Sequence, residues 1–207
     1  MAVILNIETA TTNCSVSISR NGECIGLKED YDKKYSHAER LHVYIDDVLK
    51  EANLSTKDLD AIAVSKGPGS YTGLRIGVSA AKGLCFALDI PLISVSTLES
   101  LAHQVNAESG VIVSMLDARR MEVYSAVYDI KYSLIREIQA QILDNSSFEN
   151  YLNQGNAYFV GNGVEKTKEI ISHPNAIFIE NKLPSAKEMC DLGYNKYKIS
   201  DTEDVAY

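Results

Sequence analysis

Apolar positions along the chain fall into short runs and alternations separated by glycine and polar clusters, a pattern that predicts a mixed α/β protein. Residues 3–7 form an apolar run closed by Glu8, and residues 14–20 alternate as a strand with one covered face would. Asn21-Gly22 is a strong hairpin turn that returns the chain over 23–29. Ser36-His37-Ala38-Glu39 has the spacing of a capping box. The helix it opens, to about Ala52, puts Ala38, Leu41, Ile45, Val48, Leu49 and Ala52 on one face, with Val43 and Tyr44 as apolar surface beside it. A fourth strand over 60–65 leads through a glycine turn into a helix over 74–88. A fifth strand spans 91–95, and Ser96-Thr97-Leu98-Glu99 caps a helix through Gln104.

The second half begins again with strands over 111–116, 122–129 and 134–142, then a short helix capped from Ser146. A strand over 158–160 runs into Gly161-Asn162-Gly163 and a helix over 164–171. A strand over 176–179 and a helix capped by Ser185-Ala186-Lys187-Glu188 complete it. Each half therefore reads as a three-stranded meander, a helix, a strand, a glycine turn and a helix. Lys66-Gly67-Pro68-Gly69 in the first half corresponds to Val160-Gly161-Asn162-Gly163 in the second. This duplication predicts two α/β lobes, 1–104 and 105–207, with a cleft between them. The actin, Hsp70 and sugar-kinase (ribonuclease H-like) fold is built this way and holds a nucleotide in its cleft.

The first glycine turn is the densest signal. Three glycines and a proline between Gly67 and Gly73 force a sharp strand-to-helix turn, which can present free N–H groups to an anion. It is neither the dinucleotide fingerprint nor a Walker loop, because Pro68 interrupts the glycines and no Gly-Lys-Ser/Thr follows. The helix beyond it has almost no polar face. Gly77 and Gly83 each cost about 1 kcal/mol against alanine, so both call for a packing reason.

Composition narrows the field. Twenty basic against 28 acidic residues leave a net charge of −8, a poor balance for holding nucleic acid alone. Apolar content of 45% suits a soluble globular chain. The N-terminus lacks a basic leader and reads as a first strand, and no stretch approaches the ~20 apolar residues of a membrane span. Cys14, Cys24, Cys85 and Cys190 form no C-x-x-C pair and read as reduced thiols of a cytoplasmic protein.

Ile4-Leu5-Asn6-Ile7-Glu8-Thr9-Ala10, the stretch from Gly67 to Gly77, Leu98-Glu99-Ser100-Leu101-Ala102 and Asp117-Ala118-Arg119 closely resemble the TsaB (YeaZ) family. These bacterial accessory proteins serve the synthesis of threonylcarbamoyladenosine next to the tRNA anticodon. The family is a shortened paralogue of TsaD, the transferase subunit, long described as a metal-dependent glycoprotease. The resemblance implies a non-catalytic scaffold that forms a heterodimer with TsaD, recruits the small ATPase TsaE, self-pairs as a homodimer when isolated, and meets tRNA only indirectly. The sequence stops at Tyr207 without the Pro-x-Tyr tail usual in the family, so either the second lobe is trimmed or the sequence stops short of that tail.

The same resemblance tests for catalytic machinery. The transferase carries a metal-binding His-x-x-x-His pair where this chain has Thr97 and Leu101, and leucine cannot ligate a metal. His37 and His42 point about 140° apart on a helix, and His103 and His173 have no ligands at useful spacing, so all four read as surface or capping residues. Glu8-Thr9-Ala10-Thr11 replaces the Asp and Gly-Ser/Thr turn of active kinases, and Asp117-Ala118-Arg119-Arg120 fills the place of a phosphate loop. Glu8, Thr9, Gly67, Gly69, Arg119, Gly161 and Gly163 thus read as vestigial nucleotide or anion loops. Ser70 and Thr72 have no assignable His/Asp pair. The expectation is no catalytic residue, no metal and no cofactor, with a nucleotide only at an interface with partners. An active ATPase or kinase of this fold and a metallopeptidase are the alternatives.

The candidate partner surface lies on the first two helices: Leu41, Tyr44, Ile45 and Val48, with Leu74, Gly77, Val78, Ala81, Leu84 and Cys85. Small residues there would let two backbones approach. On that expectation Gly77→Leu or Ala81→Glu breaks pairing and leaves the monomer folded.

Overall fold

The computed structural model describes residues 1–30 and 37–206. The capping box expected at Ser36 lies outside the described residues. Two five-stranded sheets carry the fold. In the first, β1 (Val3–Glu8) lies between β2 (Cys14–Arg20) and β4 (Ala61–Ser65), with β3 (Glu23–Asp30) and β5 (Leu92–Val95) at the edges. β1–β2 and β2–β3 are antiparallel, whereas β1–β4 and β4–β5 are parallel. The second sheet repeats this order and sense. β6 (Val111–Asp117) is central, β7 (Glu122–Asp129) and β8 (Leu134–Ile142) pair on one side, and β9 (Ala157–Val160) and β10 (Ala176–Ile179) on the other. The duplication expected from the sequence is present strand for strand.

Strand periodicity sorts the first core. Odd residues of β1, Val3, Leu5 and Ile7, join Val16, Ile18, Leu41, Ile45 and Val48 in one apolar cluster under helices α1 (His37–Glu51) and α2 (Tyr71–Leu88). Ile4, on the opposite face, packs with Ala61, Ala63, Ile93, Val95, Ala186 and Met189. Those last two residues belong to the chain's return, which carries helix α6 (Met189–Lys198). In the second sheet Phe159 is fully buried, with Phe148 edge-on at 5.4 Å and Phe178 stacked at 5.2 Å.

The chain separates into two compact units, Met1–Ser100 with Pro184–Tyr207, and Leu101–Leu183. This differs from the expected division into 1–104 and 105–207, because the last 24 residues belong with the first sheet. The reason is polar. Ser15 and Ser17 on β2 sit on what reads as a solvent face, yet both are fully buried. Ser17 Oγ donates to Ala186 O at 2.8 Å, and Ser15 Oγ accepts from Ala186 N at 2.9 Å. Asn13 Nδ2 donates to Pro184 O at 2.9 Å, and Ser185 Oγ to Glu29 Oε2 at 2.7 Å. Ser15→Ala strands the Ala186 N–H in a buried setting, and should cost about 1–3 kcal/mol in urea unfolding. A loss below a few tenths of a kcal/mol would mean that water replaces the hydroxyl.

Helix α2 begins at Tyr71, three residues before the expected start, because Ser70 Oγ accepts the Gly73 N–H at 3.3 Å as its cap. Of the surface or capping roles expected for the histidines, His37 does not take the surface one. It is buried, with Nε2 2.7 Å from Thr11 O, and burial lowers its pKa.

Candidate functional site

In the first unit the glycine turn closes onto the β1–β2 corner at backbone distance. Ser70 N donates to Ala10 O at 2.7 Å, Thr9 Oγ1 donates to Gly73 O at 2.8 Å, and Thr97 N donates to Gly67 O at 3.1 Å. A Cβ on Gly69 would stand 2.5 Å from Ala10 O, and one on Gly73 would stand 2.1 Å from Thr9 O. The glycines therefore serve the chain's own close packing. The Ser70 and Gly73 N–H groups, which could have met an anion, are bonded to Ala10 O and Ser70 Oγ.

Glu8 lies at the head of this corner, fully buried. Its Oε1 accepts from Ala10 N at 2.6 Å and Ser65 Oγ at 2.8 Å, while Oε2 has no partner. Burial raises its pKa to about 7, against the pull of those hydrogen bonds. The structure thus brings Glu8, Thr9, Gly67 and Gly69 together as a closed corner.

The second unit repeats the device. A Cβ on Gly161 would stand 2.1 Å from Met115 O, and one on Gly163 would stand 3.0 Å from Val123 Cγ1. Asn162 Oδ1 accepts from Asp117 N at 2.9 Å, tying this turn to the β6–β7 tip. Arg119 is exposed at that tip, and its N–H donates to Asp117 Oδ1 at 2.6 Å. Lys166 Nζ bonds the same carboxylate at 2.6 Å. Thr97 and Leu101, on α3 (Thr97–Ala102), are both fully buried. Among the described residues no group of three or more His, Cys, Asp or Glu side chains is placed to hold a metal ion.

The partner-surface candidates divide. Leu41, Ile45, Val48, Gly77, Ala81 and Cys85 are buried inside the first unit, so they are core and not open surface. The correction for Gly77 is steric, since its Cβ would stand 2.3 Å from Thr9 Oγ1. Tyr44 is half-buried and donates to Asp30 Oδ2 at 2.8 Å. Leu74, Val78 and Leu84 are half-buried.

What the sequence reading missed is the other side of α2. A groove of 710 Å³ runs between α1 and α2, lined by Ala38 and His42 from α1 and by Thr72, Arg75, Ile76, Ser79, Ala80, Gly83 and Leu84 from α2. Phe86, 84% exposed, and Val43, 54% exposed, lie on the same two helices. Gly83 has nothing within 4 Å of its Cβ position, so unlike Gly73 and Gly77 it has no packing reason inside its own chain. The signal was present. Residues 72, 76, 80 and 83 repeat at helical spacing about a third of a turn from 73, 77, 81 and 85.

The family model described as "TsaD: tRNA N6-adenosine threonylcarbamoyltransferase" matches residues 32–207. The chain is 32% identical over 207 residues to the tRNA threonylcarbamoyladenosine biosynthesis protein TsaB of Haemophilus influenzae, covering 94% of this chain and 86% of that protein. It is 38% identical over 135 residues to the protein of the same name from Bacillus subtilis, covering 65% of this chain and only 58% of that relative's length. The structure of YeaZ from Pseudomonas aeruginosa superimposes with a TM-score of 0.87 at 26% identity, covering 100% of this chain and 97% of that one. With its duplicated sheets, the fold is the actin-, Hsp70- and sugar-kinase-like one expected from the sequence.

Proposed function

The chain belongs to the TsaB (YeaZ) family, and from that premise we propose that it supports threonylcarbamoyladenosine synthesis on tRNA as a non-catalytic scaffold. Its partner in this reading is the TsaD transferase paralogue, with the TsaE ATPase joining the pair and tRNA met through the complex. No cofactor is assigned, a nucleotide is expected only where partners meet, and the setting is the cytoplasm. No helix among the described residues is long and apolar enough to cross a membrane.

The observation that carries the proposal is the α1–α2 groove. Five of its nine lining residues are small, Ala38, Thr72, Ser79, Ala80 and Gly83, and they leave room for a helix of a second protein beside Ile76 and Leu84. Gly83 accepts the helix-interior cost of about 1 kcal/mol with open space where its Cβ would be. A backbone arriving from outside accounts for it. The scaffold reading, as against the ATPase and peptidase alternatives, rests on two further features. Ala10 O is bonded to Ser70 N at the α2 turn, and Thr97 and Leu101 occupy the positions where the transferase resemblance places its histidines.

The test is the solution mass of the protein alone and mixed with the TsaD paralogue of the same organism. A one-to-one complex is expected to replace a self-paired dimer. Gly83→Arg fills the groove without touching the core, and should weaken that complex at least about tenfold with unchanged circular dichroism. Two unchanged species at micromolar concentration would overturn the proposal, and an unaffected variant would move the interface off this groove.

A further inference from the structure

A second cavity, of 470 Å³, lies within the second unit between β8 and the short helix α4 (Glu149–Leu152). Arg136 enters its wall from β8, where it stands opposite Val127 in the strand register and is half-buried. Its Nη1 donates to Gln141 Oε1 at 2.9 Å and its Nη2 to Ser125 Oγ at 2.6 Å. The guanidinium carbon sits 4.9 Å from the centre of the Phe148 ring, and Nε is buried without a partner. Every one of these neighbours is neutral. Amide and hydroxyl dipoles orient a guanidinium, but they do not supply the countercharge that a desolvated cation calls for.

Two carboxylates also line the cavity, Asp144 and Glu149, while the polar partners of the Arg136 guanidinium are Gln141 and Ser125. Asp144 Oδ1 is engaged by Ser146 N at 2.9 Å, Ser146 Oγ at 2.8 Å and Ser147 Oγ at 3.1 Å. Glu149 is exposed. The cavity therefore combines one oriented, uncompensated cation with acidic groups that repel a multiply charged anion. Phe148 and Ile142 add apolar surface. A volume of this order is in the range of small-molecule sites.

We propose that this cavity binds a small carboxylate anion, its carboxylate paired with the Arg136 guanidinium and its short apolar part against Phe148 and Ile142. The planar fork of arginine matches a carboxylate in a two-bond geometry, which sets the ligand class. The site is independent of the partner groove.

The test is titration of the full chain with sodium propionate at constant ionic strength, followed by calorimetry, with sodium chloride and inorganic phosphate as separate arms. Propionate should bind one to one, and chloride should give no saturable signal. Arg136→Gln should weaken propionate at least about tenfold. Because that residue also braces Gln141 and Ser125, a second variant guards against misfolding. Glu149→Gln, on the exposed rim, should tighten propionate about threefold by removing a like charge. No saturable propionate binding, equal binding to Arg136→Gln with its circular dichroism intact, or no tightening in Glu149→Gln would overturn the site. Phosphate binding tighter than propionate would overturn the carboxylate assignment.

Discussion

Gly77→Leu should unfold the first unit, not merely unpair it. The first side-chain carbon would stand 2.3 Å from Thr9 Oγ1 and 3.5 Å from Ile7 Cγ2. Thr9 cannot simply turn away, because its hydroxyl holds Gly73 O at 2.8 Å and the residue is fully buried. Overpacking of this kind costs about 3 kcal/mol or more, and here the cost includes a broken buried hydrogen bond. Gly73→Ala is the smaller and sharper probe. Its added carbon meets Thr9 O, a backbone atom, at 2.1 Å, so the intrinsic helix gain of about 1 kcal/mol from alanine is outweighed. Both variants should melt well below the parent by circular dichroism, whereas Gly83→Arg should not. A Gly77→Leu protein that unfolds like the parent would return the buried stripe of α2 to the list of surfaces open to a partner.

The second large effect is electrostatic. Glu8 is fully buried, and its pKa is raised to about 7 from an ordinary 4.5, with burial the dominant cause. The native state therefore keeps a proton that the unfolded chain gives up near pH 4.5. Stability from this group is complete below about pH 4.5, falls as pH rises towards 7, and the loss levels off above it. The full difference is on the order of 3 kcal/mol. Glu8→Gln keeps a carbonyl for Ala10 N and Ser65 Oγ and removes the ionisation. It should be more stable than the parent by up to about 3 kcal/mol near pH 8 and close to it near pH 4.5, measured by urea unfolding at both. An equal gap between the two proteins at both pH values would show that Glu8 ionises in the native state as it does in water.

These effects mark the division between what the sequence carries and what it does not. Strand and helix positions were legible because each element writes its own period. β7 and β8 begin and end where the alternation over 122–129 and 134–142 does, and α1 buries Leu41, Ile45 and Val48 as its stripe requires. The repeated order of meander, helix, strand, glycine turn and helix was likewise legible, since it is a sequence of local signals. The family resemblance rests on contiguous motifs of the same kind.

Three matters were decided only in three dimensions. The serines of β2 alternate as a solvent face, and no local property distinguishes a serine bonded to water from Ser17 bonded to Ala186 O. The final helix therefore groups with the first sheet, where the local pattern places it in the second lobe. The apolar helix α2 offers two small-residue stripes about a third of a turn apart, and only the position of Thr9 says that Gly77 faces inward and Gly83 outward. Nothing local in the strand over 134–142 singles out Arg136; the fold surrounds it with Ser125, Gln141 and Phe148 and leaves it without a carboxylate partner among the described residues. Sequence by itself determined the elements, their duplicated order and the family, because these follow from backbone periodicity and turn chemistry within a few residues. Tertiary structure decided which faces are covered, which glycines are obligatory and which charges lack a partner, because burial depends on residues brought together from distant parts of the chain.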